Sequence, residues 1–273
     1  PRYIKPMASR RKRSVVQGDK VAYGLLKSFL LPILTLLFRP KVKGLRNVPA
    51  SGPVIIASNH LSFSDSIFMP LVVPRKVTFL AKSEYFTSPG LKGLIKKLTF
   101  IALGQVPVDR AGGSRSEAAL LTGLAVLSRG ECLGIYPEGT RSPDGRLYRG
   151  RTGVARLAME SGAPVVPVAM FNTAEIQPTG KVIPKIMRVK MVFAEPMYFP
   201  AKDSSNPEEL RKATDQIMKK LQELTGQEYV DIYASQAKEA IAEAKKRDSE
   251  SERKSKKESK KKSKDFDEEE ESE

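Results

Sequence analysis

The stretch Val54-Ile55-Ile56-Ala57-Ser58-Asn59-His60-Leu61-Ser62-Phe63-Ser64-Asp65 sets the architecture of the chain. It follows the turn Ser51-Gly52-Pro53, runs apolar from Val54 to Ala57 and then becomes polar around a histidine. The apolar part reads as a buried strand, and the polar part reads as the loop at its C-terminal end. Further along, Val77 to Ala81 and Phe100 to Leu103 read as two further strands. Ser114 and Glu117 form a capping box for a helix over Ala118 to Ser128, stopped by Gly130. Glu131 to Tyr136 is a strand, Gly153 to Ser161 a helix stopped by Gly162, and Pro164 to Phe171 and Met187 to Ala194 are strands again. Asn206 as cap and Pro207 as first helical residue open a C-terminal helix that ends near Gly226. A second amphipathic helix is expected from Glu228 toward Lys246. Strands alternating with helices predict an α/β domain whose central sheet is mostly parallel and flanked by helices. No internal repeat is present.

Composition narrows the chemistry. The 273 residues carry 47 Lys and Arg against 31 Asp and Glu, a formal charge of +16. That surplus suits nucleic acid, an anionic membrane surface or a phosphorylated substrate. There is one Cys and one His, which excludes an internal disulfide, a cysteine-cluster zinc site and a histidine-rich metal centre. Nucleic acid is disfavoured, because there is no recognition motif, no Trp and no basic patch interleaved with aromatics. Residues 245–273 hold 11 basic and 11 acidic residues with one aromatic, Phe266, and read as a disordered charged tail. The net charge therefore lies entirely in residues 1–244.

Residues 1–20 form a basic N-terminal arm that includes Arg10-Arg11-Lys12-Arg13. Residues 21–40 form an apolar segment carrying Lys27 and Pro32. This segment is short and interrupted for a spanning helix. It also lacks the small-residue cleavage site of a signal peptide close behind it. An interfacial helix pair hinged near Pro32 is the preferred reading, with a helix packed on the domain's own core and a spanning helix as the alternatives. Residues 41–244 are then one domain including the C-terminal helices.

Three polar clusters follow three of the expected strands. The first is Asn59-His60 with Asp65 five residues on, a spacing that lets a carboxylate fix the imidazole tautomer where the loop enters a helix. By itself it also fits a capping or surface histidine. The second is Gly104-Gln105-Val106-Pro107-Val108-Asp109-Arg110 and the third Tyr136-Pro137-Glu138-Gly139-Thr140-Arg141-Ser142. Each of these delivers an Arg that can bind phosphate with two parallel hydrogen bonds, and each by itself also fits an ordinary turn with a solvated Arg. Three such clusters after three strands are harder to dismiss, because open α/β sheets bind ligands at the C-terminal ends of their strands.

Together these clusters resemble the blocks of the glycerolipid acyltransferase family, in particular the 1-acyl-glycerol-3-phosphate acyltransferases of bacteria. His60 to Asp65 is similar to the family's His-x4-Asp motif, Gly104 to Arg110 to its second block, Tyr136 to Ser142 to its Pro-Glu-Gly-Thr-Arg-Ser block and Val165-Val166-Pro167-Val168-Ala169 to its fourth. Phe79 to Glu84 is similar to the Lys-containing segment between the first two. The second block has Val106-Pro107-Val108 where an aromatic and Ile are common, and the third begins with Tyr136 in place of Phe.

The resemblance implies acyl transfer from a fatty acyl thioester, acyl-CoA or acyl carrier protein, to the free hydroxyl of lysophosphatidic acid. It implies His60 as general base held by Asp65, with Lys82, Arg110 and Arg141 binding the acceptor's phosphate and Glu138, Gly139 and Thr140 lining the substrate site. Backbone amides around Gly139 are the expected oxyanion hole, and no metal or further cofactor is implied. Because acceptor and product are membrane lipids, the protein is expected on the cytoplasmic face of the cell membrane, against an anionic leaflet. Cys132 sits in an apolar strand and reads as core. Ser62, Ser64 and Ser66 lie beside His60 without the G-x-S-x-G elbow of a serine hydrolase. The rival readings are transfer to another lysophospholipid or a glycolipid, a thioesterase, and a non-catalytic basic membrane-binding module.

Overall fold

The computed structural model describes residues 10–81, 84–91, 93–94, 100–101, 104–108, 115–181, 183–201 and 204–251. Strand β1 (Lys41–Lys43) is followed by β2 (Val54–Ser58), helix α2 (Asp65–Val72), β3 (Val77–Ala81), the short helix α3 (Glu84–Thr87) and β4 (Gln105–Pro107). Next come α4 (Arg115–Leu127), β5 (Cys132–Ile135), β6 (Leu147–Tyr148), α5 (Gly153–Ser161), β7 (Val165–Phe171), α6 (Thr173–Ile176) and β8 (Lys190–Phe193). Helix α7 (Pro207–Thr225), β9 (Tyr229–Val230) and a final helix over residues 234–251 complete the described chain. The long helix α1 (Arg10–Phe38) precedes them all.

The main sheet has the order β1-β8-β7-β2-β5-β3-β4. From β7 to β4 every pairing is parallel, β8 runs antiparallel to β7, and β1 is parallel to β8. β2 is central, and alternate residues point to opposite faces. Val54 and Ile56 join a core with Phe38, Phe68, Met69, Val168 and Met191, under α1 and α2. Ile55 and Ala57 join the other core with Leu120, Leu127, Leu157, Ile217 and Leu221, under α4, α5 and α7. A strand covered on both faces has no polar side, which is why β2 is apolar without alternation. At the start of α7, the Asn206 side chain accepts from the Glu208 backbone N–H at 2.9 Å, and Gly226 closes the helix in the left-handed conformation.

Several expectations shift. The strand expected at Phe100 to Leu103 lies later: residues 100 and 101 are helical, the chain turns at Gly104, and the strand is Gln105–Pro107. The strand expected from Met187 begins at Lys190, because residues 183–188 are exposed loop. The final helix starts at residue 234, not Glu228, because Tyr229 and Val230 pair with Leu147 and Tyr148 in a small second sheet. It runs to residue 251, past the expected tail boundary at Lys245, and the rest of that tail lies outside the described residues. The capping Ser114 lies outside them too.

The expected hinge at Pro32 is absent: α1 is one helix with Pro32 inside it, and it crosses the expected boundary at residue 20. One face docks on α2, where Tyr23 donates to the Pro70 carbonyl at 3.1 Å, and Lys27 donates to the carbonyls of Pro70 and Val73 at the end of that helix. Leu26 and Leu30 lie against Ile67 and Leu71, and Phe38 packs edge-on against Phe68. The other face leaves Leu25, Phe29, Ile33 and Leu36 exposed. No described helix is long and apolar enough to cross a membrane.

Candidate active site

β2 and β5 are hydrogen-bonded neighbours pointing the same way, so the loops leaving their C-terminal ends meet. One loop carries His60 and the other begins at Tyr136. The β2 loop passes directly into α2, whose first residue is Asp65. The Asp65 carboxylate lies at the first turn of that helix, is fully buried, and gathers the loop onto one oxygen. Its Oδ2 accepts from the backbone N–H of Leu61 and of Ser62, both at 2.8 Å, and lies 2.9 Å from His60 Nδ1. Because a carboxylate only accepts, Nδ1 is the donor, and in the neutral imidazole the lone pair lies on Nε2. Asp65 Oδ1 is buried with no hydrogen-bond partner among the described residues.

The third cluster holds His60 from both sides. Glu138 is buried, and its Oε1 accepts from the His60 N–H at 3.2 Å while its Oε2 accepts from the Tyr148 N–H at 3.0 Å. The Ser142 N–H donates to the His60 carbonyl at 2.7 Å. The Tyr136 ring stacks on the imidazole at 3.7 Å between centroids and 8° between planes, and its hydroxyl meets Ser66 Oγ at 2.8 Å. Behind it, Phe79 stacks on Tyr136 at 5.2 Å. The imidazole is thus fixed in tautomer, backbone position and ring plane. Burial pushes the Glu138 carboxyl up to about 7, against the pull of its two backbone N–H donors. Burial and the nearby Asp65 charge push the Tyr136 phenol well above its ordinary value.

The structure gives Glu138 a task that the sequence did not show: each of its oxygens accepts from a backbone N–H. Gly139 turns the chain at φ +75°, and a Cβ there would lie 2.9 Å from Arg151 Nε. Its own N–H is spent on the Tyr136 carbonyl at 2.9 Å, so the expected oxyanion donors narrow to the amides of Thr140 and Arg141. Thr140 Oγ1 accepts from Lys238 Nζ at 2.6 Å. Arg141 is half-buried, and its guanidinium has no partner among the described residues. Lys82 and Arg110 lie outside the described residues. Cys132 is buried, and burial pushes its thiol up to about 12, so it stays protonated in the core. Among the described residues no group of three or more His, Cys, Asp or Glu could hold a metal ion.

Sequence reading missed several supporting contacts. The Asn59 side chain pairs with both the N–H and the carbonyl of Met170 on β7, at 2.8 and 3.1 Å, fixing where the loop leaves the sheet. Ser62 Oγ donates to the Gln177 carbonyl at 2.7 Å. Lys238 comes from the final helix, whose Ser235 also bonds Arg151, the residue whose N–H donates to the Pro137 carbonyl of the third cluster at 2.8 Å. Nothing in a polar helix far along the chain signals such a contact.

Comparison with known proteins agrees with this geometry. A family model described as Acyltransferase matches residues 39–171. The chain is 30% identical over 178 residues to the 1-acyl-sn-glycerol-3-phosphate acyltransferase of Bacillus subtilis (strain 168), covering 64% of this chain and 82% of that protein. It is 32% identical over 144 residues to a chloroplastic 1-acyl-sn-glycerol-3-phosphate acyltransferase of Brassica napus, covering 52% of this chain. The chain spans about two fifths of the length of the plant relatives it matches. Among solved structures, the 1-acyl-sn-glycerophosphate acyltransferase PlsC of Thermotoga maritima matches with a TM-score of 0.58 at 27% identity, covering 80% of this chain and 84% of that one. The matched residues include the strands that deliver both His60 and Tyr136, so the likeness extends to the site as well as the fold, and the chain belongs to the Acyltransferase family.

Proposed function

We propose that the protein transfers a fatty acyl group from an acyl thioester, acyl-CoA or acyl carrier protein, to the sn-2 hydroxyl of 1-acyl-glycerol-3-phosphate, giving phosphatidic acid. The observation that carries this reading is His60 held by Asp65 through Nδ1, with Nε2 left as a base. His60 Nε2 takes the proton of the acceptor hydroxyl as its oxygen attacks the thioester carbonyl. The tetrahedral oxyanion is stabilised by backbone donors, with Thr140 and Arg141 offering the unspent amides of the turn. Its collapse breaks the C–S bond, and the proton on Nε2 goes to the departing thiolate. The acceptor oxygen is itself the nucleophile, so no Ser or Cys is acylated. Arg141, half-buried in the turn whose Ser142 holds the His60 carbonyl, is assigned to the acceptor's phosphate, with Lys82 and Arg110 as further ligands.

Membrane association belongs to the same reading. The exposed row on α1, Leu25, Phe29, Ile33 and Leu36, lies at helical spacing on the face away from α2. Such a face buries into one leaflet without spanning it, and the +16 surplus favours anionic lipid on the cytoplasmic side.

The test is thiol release from a fatty acyl-CoA, with and without lysophosphatidic acid, for the intact chain, His60→Ala and Asp65→Asn. Release should require the lysolipid and fall about a hundredfold or more in both variants. Equal release without acceptor identifies a thioesterase. Activity retained in His60→Ala refutes the assignment of the base.

A further inference from the structure

Between α6 and β8 the chain makes a loop that the proposed chemistry does not use. Residues 183–188 are all exposed, with Ile183 at 84% and Ile186 at 63%, and Met187 beside them. Lys181, Lys185 and Arg188 are interleaved with these apolar residues, and no acidic residue lies between Gln177 and Lys190. The feet of the loop are pinned. The Lys185 N–H donates to the Ile176 carbonyl at 2.7 Å, Asn172 Nδ2 to the Arg188 carbonyl at 2.9 Å, and the Val189 N–H to the Phe38 carbonyl at the end of α1. The Gln177 carbonyl is held by Ser62, two residues from His60.

Its position matters as much as its composition. Ile176 and Val189, at the two ends of the loop, belong to the same core as Phe38 and Phe68, so the loop rises from the face of the sheet that α1 covers. The loop thus springs from the face of the sheet on which α1 lies with its exposed apolar row. A run of exposed large apolar side chains mixed with cations, and lacking acidic residues, suits the boundary between headgroups and acyl chains.

We propose that this loop is a second membrane contact, seating Ile183, Ile186 and Met187 in the interface of an anionic leaflet with Lys181, Lys185 and Arg188 against lipid phosphates. The inference rests on the membrane-associated reading above and adds to it a contact beside the catalytic loop. Through the Ser62–Gln177 bond, the loop sets the mouth of the His60 site against the surface that supplies the acceptor.

The chain contains no Trp, so one introduced Trp reports alone. In the full chain, Ile186→Trp should shift its emission to the blue with vesicles of phosphatidylcholine and phosphatidylglycerol, and be quenched by brominated acyl chains. Phosphatidylcholine alone should give a much smaller shift. Leu121→Trp, on α4 over the opposite face of the sheet, should not shift. Unshifted emission of Ile186→Trp, whether or not the protein pellets with vesicles, overturns the proposal. So does a shift produced by acyl carrier protein without lipid, which would make the loop a protein-docking surface. As a second arm, Ile183→Ser/Ile186→Ser should keep its rate on a dispersed short-chain lysophosphatidic acid within about twofold while losing about tenfold on vesicle-embedded acceptor. Equal losses on both, or none on either, overturn it. An intact chain that releases no thiol with the dispersed acceptor would fail the acyltransferase reading, a result separate from the fluorescence of the loop.

Discussion

Glu138 holds two backbone N–H groups that belong to different parts of the site, His60 on the β2 loop and Tyr148 on β6. Its burial has a pH consequence. The folded carboxyl titrates at about 7, raised from an ordinary 4.5, so between those values the folded state holds a proton that the unfolded state has lost. Stability from this group is full below about pH 4.5 and is lost as the pH rises through about 7, by up to about 3 kcal/mol. Glu138→Gln stays neutral throughout and sets an NH2 against one of the two N–H donors, at a cost of about 1–3 kcal/mol. The variant should be less stable than the parent at pH 5, and its deficit should shrink toward pH 8 when urea midpoints are compared. A deficit that is constant or grows would show that the carboxylate is not held near neutrality. His60 and Asp65 were legible because five residues separate them where a strand turns into a helix. The task of Glu138 was not, because a carboxylate within a turn does not declare which amides will face it. Nor did Tyr136 announce that its ring would lie on the imidazole.

Elements carry strain into the site through close packing. Gly134 lies inside β5, and a Cβ there would stand 2.5 Å from Cε1 and Cζ of Phe79. Phe79 backs Tyr136, and Tyr136 backs His60, so the glycine makes room for a three-ring stack that ends at the imidazole. Gly134→Ala should cost about 1–3 kcal/mol and lower kcat more than it raises KM for the thioester. Phe79→Leu placed in the Gly134→Ala background should restore part of the stability, since it removes the clashing ring edge. Unchanged stability and activity in Gly134→Ala would refute the stack as a positioning device. At this scale the long apolar strands were readable and the short ones were not. Phe100 to Leu103 is apolar enough for a strand, yet residues 100 and 101 are helical, because a four-residue apolar run has too little periodicity to separate the two states. The pairing of Tyr229 and Val230 with Leu147 and Tyr148 joins segments 82 residues apart, which local pattern cannot express.

Across the whole molecule, the proposed membrane contact has a charged part and an apolar part, and salt separates them. The attraction of exposed Lys and Arg for anionic lipid fades as the screening length falls from about 10 Å at 0.1 M salt to about 3 Å at 1 M. Burial of apolar side chains in the interface is not screened. Deleting residues 1–38 would confuse the two and damage the fold as well, because Tyr23 and Phe38 are buried and Lys27 closes the end of α2. The cleaner variant is Leu25→Ser/Phe29→Ser/Leu36→Ser, which alters only the outward row of α1 and leaves its docked face intact. The parent chain should pellet with phosphatidylglycerol-containing vesicles in low salt and remain largely bound at 1 M. The triple variant should pellet at low salt, drawn by its unchanged charge, and come off as the salt is raised. Its thermal midpoint should stay near that of the parent, since none of the three side chains is packed. If the triple variant resists high salt as well as the parent does, the outward row of α1 is not what holds the protein on the bilayer, and the anchoring assignment falls.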